Sequence, residues 1–272
     1  MTDTKTLIVP KYRKLLNDKQ LLLIKLVYKF RFVSVGLLQA AQGQSDQSTV
    51  NRRLQVLVDQ GYLGRLYDGN YRIKGKPASY SIRPKGIQLL TTLGGYSPNV
   101  LHAIYGDKSA SEEFITHNLN IFALYNKFRQ QYPNIFNFFT KSELSGADNF
   151  PELLPDAYLT PKDPANAHKF YLECIERSTP LFVTNRKISS YIEHSESEEW
   201  GATGKTYPAV LLVVESSNTI RTLHKYIERK LTATGADIDF YTTSSQALIK
   251  SDDPTEAIWW QVGEDEMVAH PI

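Results

Sequence analysis

Little in the sequence points outside the cytoplasm. Cys174 is the single cysteine among 272 residues, which excludes a disulfide framework and fits a reducing compartment. The opening stretch, MTDTKTLIVPKYRK, contains no apolar core long enough for a signal peptide. The longest apolar runs, such as residues 209–214, are far too short to span a membrane. We therefore expect a soluble, cytoplasmic protein with no membrane partner.

Several common cofactor and metal motifs are also missing. GATGKT, at Gly201–Thr206, mimics a phosphate-binding loop, but Glu199 stands where the pattern needs its first glycine, and a strand is predicted to follow instead of a helix. We therefore exclude ATP binding and expect no organic cofactor. The histidines include no His-x-His pair, which argues against a tyrosine relaxase with a three-histidine metal site. No cysteine and histidine set has the spacing of a zinc site.

The first third of the chain predicts three short helices. Apolar residues recur at helical spacing over Lys19–Val33, and a second helix is predicted over Val35–Ala41. A third helix is expected to begin at Gln47 or Ser48 and to end at Gly61. Its outer face is polar and basic and carries four candidate DNA-binding residues, which are Thr49, Asn51, Arg52 and Arg53.

A basic hairpin is predicted to follow the third helix. Its strands span Tyr62–Tyr67 and Ala78–Ile82, and Asp68-Gly69-Asn70 supplies a turn. The residues proposed to contact DNA here are Arg65, Arg72, Lys74 and Lys76. The whole segment resembles a winged helix-turn-helix domain, in which the helix probes the major groove while basic residues neutralise phosphates. A solvated basic hairpin that serves protein contacts is the alternative.

A loose connection and a long helix are predicted next. Thr92–Ala110 contains Gly94, Gly95, Pro98 and Gly106 and is interpreted as a linker. Ser111–Gln131 has an apolar side at helical spacing and carries His117 in its first turns. A lone helical histidine is more often a packed or surface residue than a functional one, so both readings of His117 remain open.

The remaining sequence predicts an α/β (α+β) fold with a mixed sheet flanked by helices. Tyr207–Glu215 is a near-continuous apolar run, which is typical of a buried central strand. The other predicted elements are strands at Asn134–Thr140, Pro155–Thr160, His168–Ile175, Asp237–Thr242 and Ala257–Val262, and helices at Phe182–His194 and Ser217–Leu231.

Two carboxylates face each other in the predicted hairpin. If its loop is centred near Pro164, Asp156 lies opposite Glu173, and like charges opposed across strands are destabilising. A Mg²⁺ or Mn²⁺ ion would relieve both, because such a cation takes one or two protein carboxylates and also binds substrate phosphates. Alternatively, Asp156 bonds only the loop backbone, and Glu173 forms a structural salt bridge with Lys187 or Arg177.

These acids resemble the PD-(D/E)XK nuclease pattern. The resemblance implies that Asp156 and Glu173 hold the metal and that a lysine lies near the attacking water and the scissile phosphate. The usual lysine position is occupied by Ile175. Some members of that fold are similar in carrying their lysine on the adjacent helix, where this chain has Lys187.

The order of all these motifs resembles the replication-relaxation family and the MOBC-class relaxases that mobilise plasmids. The resemblance covers the chain from about Leu21 to about Leu231. It implies a site made of His117, Glu143, Asp156, Glu173 and Lys187, with Arg186 and Tyr191 as weaker additions. Glu143 would be a third metal ligand, although a surface acid in KSELSG is the simpler reading.

The sequence therefore favours a metal-dependent DNA-nicking relaxase or endonuclease at a transfer or replication origin. Either a metal-activated water or Tyr191 would attack the phosphate. The expected organisation is a winged helix over 1–92, a linker over 93–110 and a PD-(D/E)XK nuclease-like domain over 111–272. The expected partner is double-stranded DNA, with single-stranded DNA at the nick, a second copy of the chain and accessory mobilisation proteins as further candidates. A non-catalytic winged-helix regulator with a degenerate nuclease-like domain is the alternative.

Overall fold

The described part of the N-terminal region combines four helices with a small sheet. The computed structural model describes residues 16–43, 46–67, 71, 73, 75–163, 168–264 and 269–270. The elements of this region are α1 (Asp18–Phe30), β1 (Val33–Ser34), α2 (Val35–Gln42), α3 (Gln47–Asp59), β2 (Leu63–Leu66), β3 (Ser79–Ile82) and α4 (Pro84–Leu93). The strands form an antiparallel sheet in the order β1-β3-β2.

Local sequence explains where α3 begins and ends. The side chain of Asp46 accepts a hydrogen bond from the main chain of Ser48 at 2.8 Å and so caps the first turn. At the other end, Gly61 has a φ of 79°, and Tyr62 donates to the carbonyl group of Leu57 at 2.9 Å. This is a Schellman motif, and it confirms the prediction that Gly61 terminates α3, whose last helical residue is Asp59.

The rest of the chain forms a seven-stranded mixed sheet flanked by helices. Its elements are α6 (Glu112–Gln131), β4 (Phe136–Thr140), α7 (Lys141–Leu144), β5 (Ala157–Pro161), β6 (Phe170–Ile175), α8 (Leu181–Ser195), α9 (Glu198–Gly201), β7 (Ala209–Val214), α10 (Ser217–Thr234), β8 (Phe240–Ser244), α11 (Ser245–Lys250), β9 (Trp259–Gln261) and β10 (Ala269–His270). The strand order is β10-β9-β8-β7-β6-β5-β4. β6, β7 and β8 are parallel, and the outer strands are antiparallel. The expected mixed α/β fold is confirmed.

Alternate residues of β6 enter two apolar layers. Phe170 and Leu172 join the layer that packs against α6, whereas Tyr171 and Ile175 join the layer beneath α8 and α10. Glu173 lies two residues from both Tyr171 and Ile175 and is therefore on the α8 side of the sheet.

The segment taken for a loose linker is helical, so that expectation is wrong. Residues 98–104 form α5 (Pro98–Ile104), and a 3₁₀ helix follows over Tyr105–Ser109. Val100, Leu101 and Ile104 are buried. Pro98 stands at the start of the helix, where its missing N–H group costs nothing.

One apolar cluster connects the N-terminal region with the large sheet. It runs from Leu23 in α1 through Phe122 in α6 to Trp259 in β9. The rings of Phe30 and Phe122 stack with centroids 4.1 Å apart. The boundaries predicted at residues 92 and 111 therefore do not separate two cores.

No helix in the described part of the chain has the length and apolar character needed to cross a lipid bilayer.

Candidate functional site

Three charged side chains from different elements converge on the α8 side of the large sheet. Asp156 lies one residue before β5, Glu173 lies within β6, and Lys187 lies on α8. Ala157 pairs with Leu172, so the register continued by one residue sets Asp156 opposite Glu173. The Lys187 ammonium group is 3.1 Å from Asp156 Oδ1 and also donates to Glu173 Oε2.

Asp156 is held as a carboxylate from several sides. Its side chain is 5% exposed, and burial alone would raise its pKa. The positive charges of Lys187 and His117 and a hydrogen bond from the main chain of Cys174 outweigh burial and lower that pKa. The Cys174 amide is 2.9 Å from Asp156 Oδ2.

Glu173 has a different electrostatic environment. It is 3% exposed, and its Oε1 accepts a hydrogen bond from the Tyr191 hydroxyl group. Burial and repulsion from Asp156 raise the pKa of Glu173 to about 7, against the opposing influence of Lys187. For Lys187, burial would lower the pKa, but the two neighbouring carboxylates raise it, so this side chain is an ammonium ion.

His117 joins the same cluster through both ring nitrogens. Nε2 is 3.2 Å from Asp156 Oδ1, and Nδ1 is 2.7 Å from Glu176 Oε1. Burial favours the neutral ring, but Asp156 and then Glu176 outweigh it and raise the pKa of His117 to about 10. His117 is therefore an imidazolium that donates to both carboxylates. Glu176 was missed by the sequence analysis, since its partner lies 59 positions earlier in the chain.

Two cavities meet over Asp156. The larger, of about 720 Å³, is lined by Glu173, Lys187 and Tyr191 among others. The smaller, of about 310 Å³, extends towards α1 and α5. Both are lined by Phe114, His117, Lys141 and Asp156. A ligand that spans the cavities would therefore pass over the Asp156 carboxylate.

Glu143 does not lie with these acids, so the expectation that it is a third metal ligand is wrong. Its carboxylate is 2.8 Å from Lys29 and accepts a hydrogen bond from the main chain of Thr140 at 2.9 Å. It borders a separate cavity beside α1. The residue serves as a cap for α7 and as the partner of Lys29.

Two carboxylates therefore remain as candidate metal ligands. Within the described ranges, no group of three or more histidine, cysteine, aspartate or glutamate side chains is arranged to hold a metal ion. Asp156 and Glu173 nevertheless suit a hard cation, because Mg²⁺ takes one or two protein carboxylates and completes its shell with water and substrate oxygens.

The residues predicted to contact DNA have varied surroundings. Asn51, Arg52 and Arg65 are exposed, and the Arg65 guanidinium group lies 4.8 Å from the centre of the Tyr67 ring. Thr49 donates its hydroxyl hydrogen to Asp46 at 2.8 Å. The remaining residues of the set are Arg53, which is half-buried, Lys76, which pairs with Glu112 of α6, and Arg72 and Lys74, which lie outside the described residues.

Comparison with known proteins identifies one family. A family model described as Replication-relaxation matches residues 24–210. No curated protein matches the chain. Among solved structures, the restriction endonuclease FokI bound to DNA is similar at a TM-score of 0.32 and 11% identity, with 85% of this chain and 43% of that chain covered. The chain thus spans less than half of that structure, and the TM-score does not show a common fold.

Proposed function

We propose, from the premise that the chain belongs to the replication-relaxation family, that it acts in plasmid replication or mobilisation as a metal-dependent DNA-nicking enzyme. The observation that carries this proposal is the convergence of Asp156, Glu173 and Lys187 beside a large cavity. Buried carboxylates and a cation beside a cleft are suited to hold a metal ion and to stabilise charge on a phosphate.

The position of Lys187 supports a PD-(D/E)XK-like mechanism despite Ile175. The side chain of Ile175 packs among the apolar residues beneath α8 and α10. Lys187, on α8, brings its ammonium group to 3.1 Å from Asp156. In the proposed mechanism this ammonium group stabilises negative charge on the phosphate as the strand is cut.

Asp156 and Glu173 are the residues that would hold Mg²⁺ or Mn²⁺. When bound, the ion would offset charge on the phosphate and favour ionisation of a nearby water. The Cys174 amide and His117 fix the orientation of Asp156, and Tyr191 fixes that of Glu173. These hydrogen bonds restrict the rotation of both carboxylate groups, so each group stays directed into the cavity.

The N-terminal region supports recognition of double-stranded DNA. The elements follow one another in the order of a winged helix, which is α1, β1, α2, α3, β2 and β3, and the three strands form one sheet. The outer face of α3 presents Asn51 and Arg52 to solvent, and β2 presents Arg65. In the proposed complex, α3 enters the major groove and the hairpin contacts phosphates.

One feature favours a non-catalytic regulator as the second candidate function. Lys187 and His117 already neutralise Asp156 and Glu176 without any metal. A structural ion network of this kind would stabilise a nuclease-like domain that has lost activity and serves partner contacts.

A nicking assay separates the two functions. Supercoiled plasmid that carries the DNA flanking this gene is incubated with wild-type protein or Asp156→Asn, in Mn²⁺ or in EDTA. Asp148→Asn is the matched control, because Asp148 is an exposed carboxylate on the loop before β5. We expect open circles from the wild type and Asp148→Asn in Mn²⁺ alone. Asp156→Asn should shift the plasmid on a gel but leave it closed.

Each alternative outcome has a defined reading. Equal nicking by Asp156→Asn would rule out this site. Gel shifts by every variant with no nicking in Mn²⁺ would favour the regulator.

A further inference from the structure

Lys141 lies in the same cross-strand row as the two candidate metal ligands. Thr140 pairs with Ala157, so the register continued by one residue sets Lys141 opposite Asp156. The main-chain N–H group of Lys141 donates to the Asp156 carbonyl group at 3.3 Å. Lys141 is the first residue of α7 and Asp156 precedes β5, so the row that continues the register of β4, β5 and β6 reads Lys141, Asp156 and Glu173. Neighbours in such a row project from the same face of a sheet.

The other cations of the two cavities are committed to carboxylates. The pairs are Lys29 with Glu143, Arg31 with Asp107, Lys76 with Glu112, His117 with Asp156 and Glu176, and Lys187 with Asp156 and Glu173. Among the cavity-lining residues that the structure describes, Lys141 is the cation whose side chain forms no ion pair or hydrogen bond. It is also exposed to solvent.

The place of Lys141 between the cavities indicates the ligand of its ammonium group. Lys141 and Asp156 both line the larger and the smaller cavity. A DNA strand that runs from one cavity into the other would bring one phosphate over Asp156, beside Lys141. An ammonium ion with no protein carboxylate to neutralise it has the charge and the donors that such a phosphate accepts.

We infer that Lys141 binds a non-bridging oxygen of the phosphodiester that lies over Asp156. The inference deepens the proposed function, because it names a protein contact to the DNA at the same site. Lys187 then acts on the phosphate while it is paired with the two carboxylates, whereas Lys141 binds the phosphate without a carboxylate partner of its own. Nothing in the KSELSG motif indicated this, since the register of β4 against β5 is not visible in the sequence.

The salt dependence of DNA binding tests the contact. Affinity for a fluorescein-labelled duplex from the DNA flanking the gene is measured by anisotropy over a range of KCl, in Ca²⁺ to suppress cleavage. Affinity falls as salt rises, and loss of one phosphate contact in Lys141→Gln should make the slope of log affinity against log salt shallower by about 0.9. Lys162→Gln is the matched control, because Lys162 is exposed at the opposite end of the β4–β5 pair. It should keep the wild-type slope.

Nicking and rescue supply an independent readout. Lys141→Gln should nick supercoiled plasmid in Mn²⁺ about tenfold or more slowly, the expected loss for one charge-assisted hydrogen bond. Lys141→Arg should restore most of the rate. The thermal midpoint should not change, because the side chain is exposed.

Failure of this inference is distinguishable from failure of the proposed function. Wild-type affinity, salt slope and nicking in Lys141→Gln would overturn the inference alone. A wild-type protein that binds DNA without nicking would overturn the enzyme, whereas a reduced slope in Lys141→Gln would still support the phosphate contact. A wild-type protein with no affinity for the duplex would overturn both.

Discussion

Tyr191 lies at the base of the larger cavity, where it contacts Glu173. It is 1% exposed, and its hydroxyl group donates to Glu173. Burial and the neighbouring Glu173 raise the pKa of the phenol well above its usual range. A nucleophile must reach the phosphate and lose its proton, and Tyr191 is poorly placed to do either. For the proposed nicking reaction, this burial favours water as the attacking group and Tyr191 as the residue that holds Glu173.

The variant Tyr191→Phe tests this role. Removal of one hydrogen bond to a carboxylate should cost about 1–2 kcal/mol, which slows nicking about tenfold. The nicked product should carry no covalently bound protein after denaturation, and this is checked on a denaturing gel with labelled DNA. Complete loss of nicking together with a wild-type protein–DNA adduct would instead identify Tyr191 as the nucleophile.

Removal of Lys187 tests the metal site without an activity measurement. Lys187→Ala leaves two buried carboxylates without their shared cation, so we expect a loss of about 3 kcal/mol, or about 5–10 °C in thermal midpoint. Mg²⁺ or Mn²⁺ should then restore part of that loss, because the ion replaces the ammonium group. The measurement is a thermal melt with and without the metal. Lys225→Ala, an exposed lysine on α10, is the control and should show neither effect.

Sequence alone identified only part of the site. Asp156 and Glu173 were found because a Pro- and Asn-rich loop between two strand patterns fixes which residues oppose each other. Lys187 was found as a helical substitute for the lysine missing at residue 175. Glu176 and Lys141 were not found, because their roles depend on contacts with His117 and Asp156 that only the folded chain creates.

At the scale of elements, the start of α3 gives a pH-dependent prediction. Hydrogen bonds from Ser48 and then Thr49 lower the pKa of Asp46 to about 2. A carboxylate whose pKa is depressed by folding adds stability that is complete above its unfolded pKa, near 4, and lost as the pH falls through 2. Asp46→Asn should therefore be less stable than wild type at pH 6, and the difference should disappear towards pH 2. Denaturant melts at several pH values measure this, and a constant difference would contradict it.

The helix α5 shows why one element escaped prediction. Gly94, Gly95 and Pro98 are loop-forming residues and suggested a linker. Pro98, however, begins the helix, and Val100, Leu101 and Ile104 are buried against the core. A helix of seven residues contains too few turns for its apolar periodicity to stand out, so its stability comes from tertiary packing.

At the scale of the whole molecule, the shared core predicts cooperative unfolding. Phe30 in α1 is 1% exposed and stacks on Phe122, so Phe30→Ala should cost about 3–5 kcal/mol. The tryptophans Trp200, Trp259 and Trp260 all lie in the C-terminal part of the chain. In Phe30→Ala, the midpoint of unfolding measured by their fluorescence should nevertheless shift to lower denaturant concentration, by the same amount as the midpoint measured by far-UV circular dichroism. Leu22→Ala, at an exposed position of the same helix, is the control, and an unshifted fluorescence transition in Phe30→Ala would indicate two independent domains.

The continuous core also fixes the distance between α3 and the carboxylates of the site. Hydrogen bonds from Asn126 and Arg129 of α6 to the carbonyl groups of Leu37 and Ala41 add to that fixed relation. If α3 binds a specific DNA sequence, the fixed distance from α3 to the carboxylates places the nick at a constant number of base pairs from that sequence. If half a helical turn of DNA is inserted between the recognised sequence and the nick position, the opposite side of the double helix faces Asp156. Nicking at the original position should then be lost and not simply displaced.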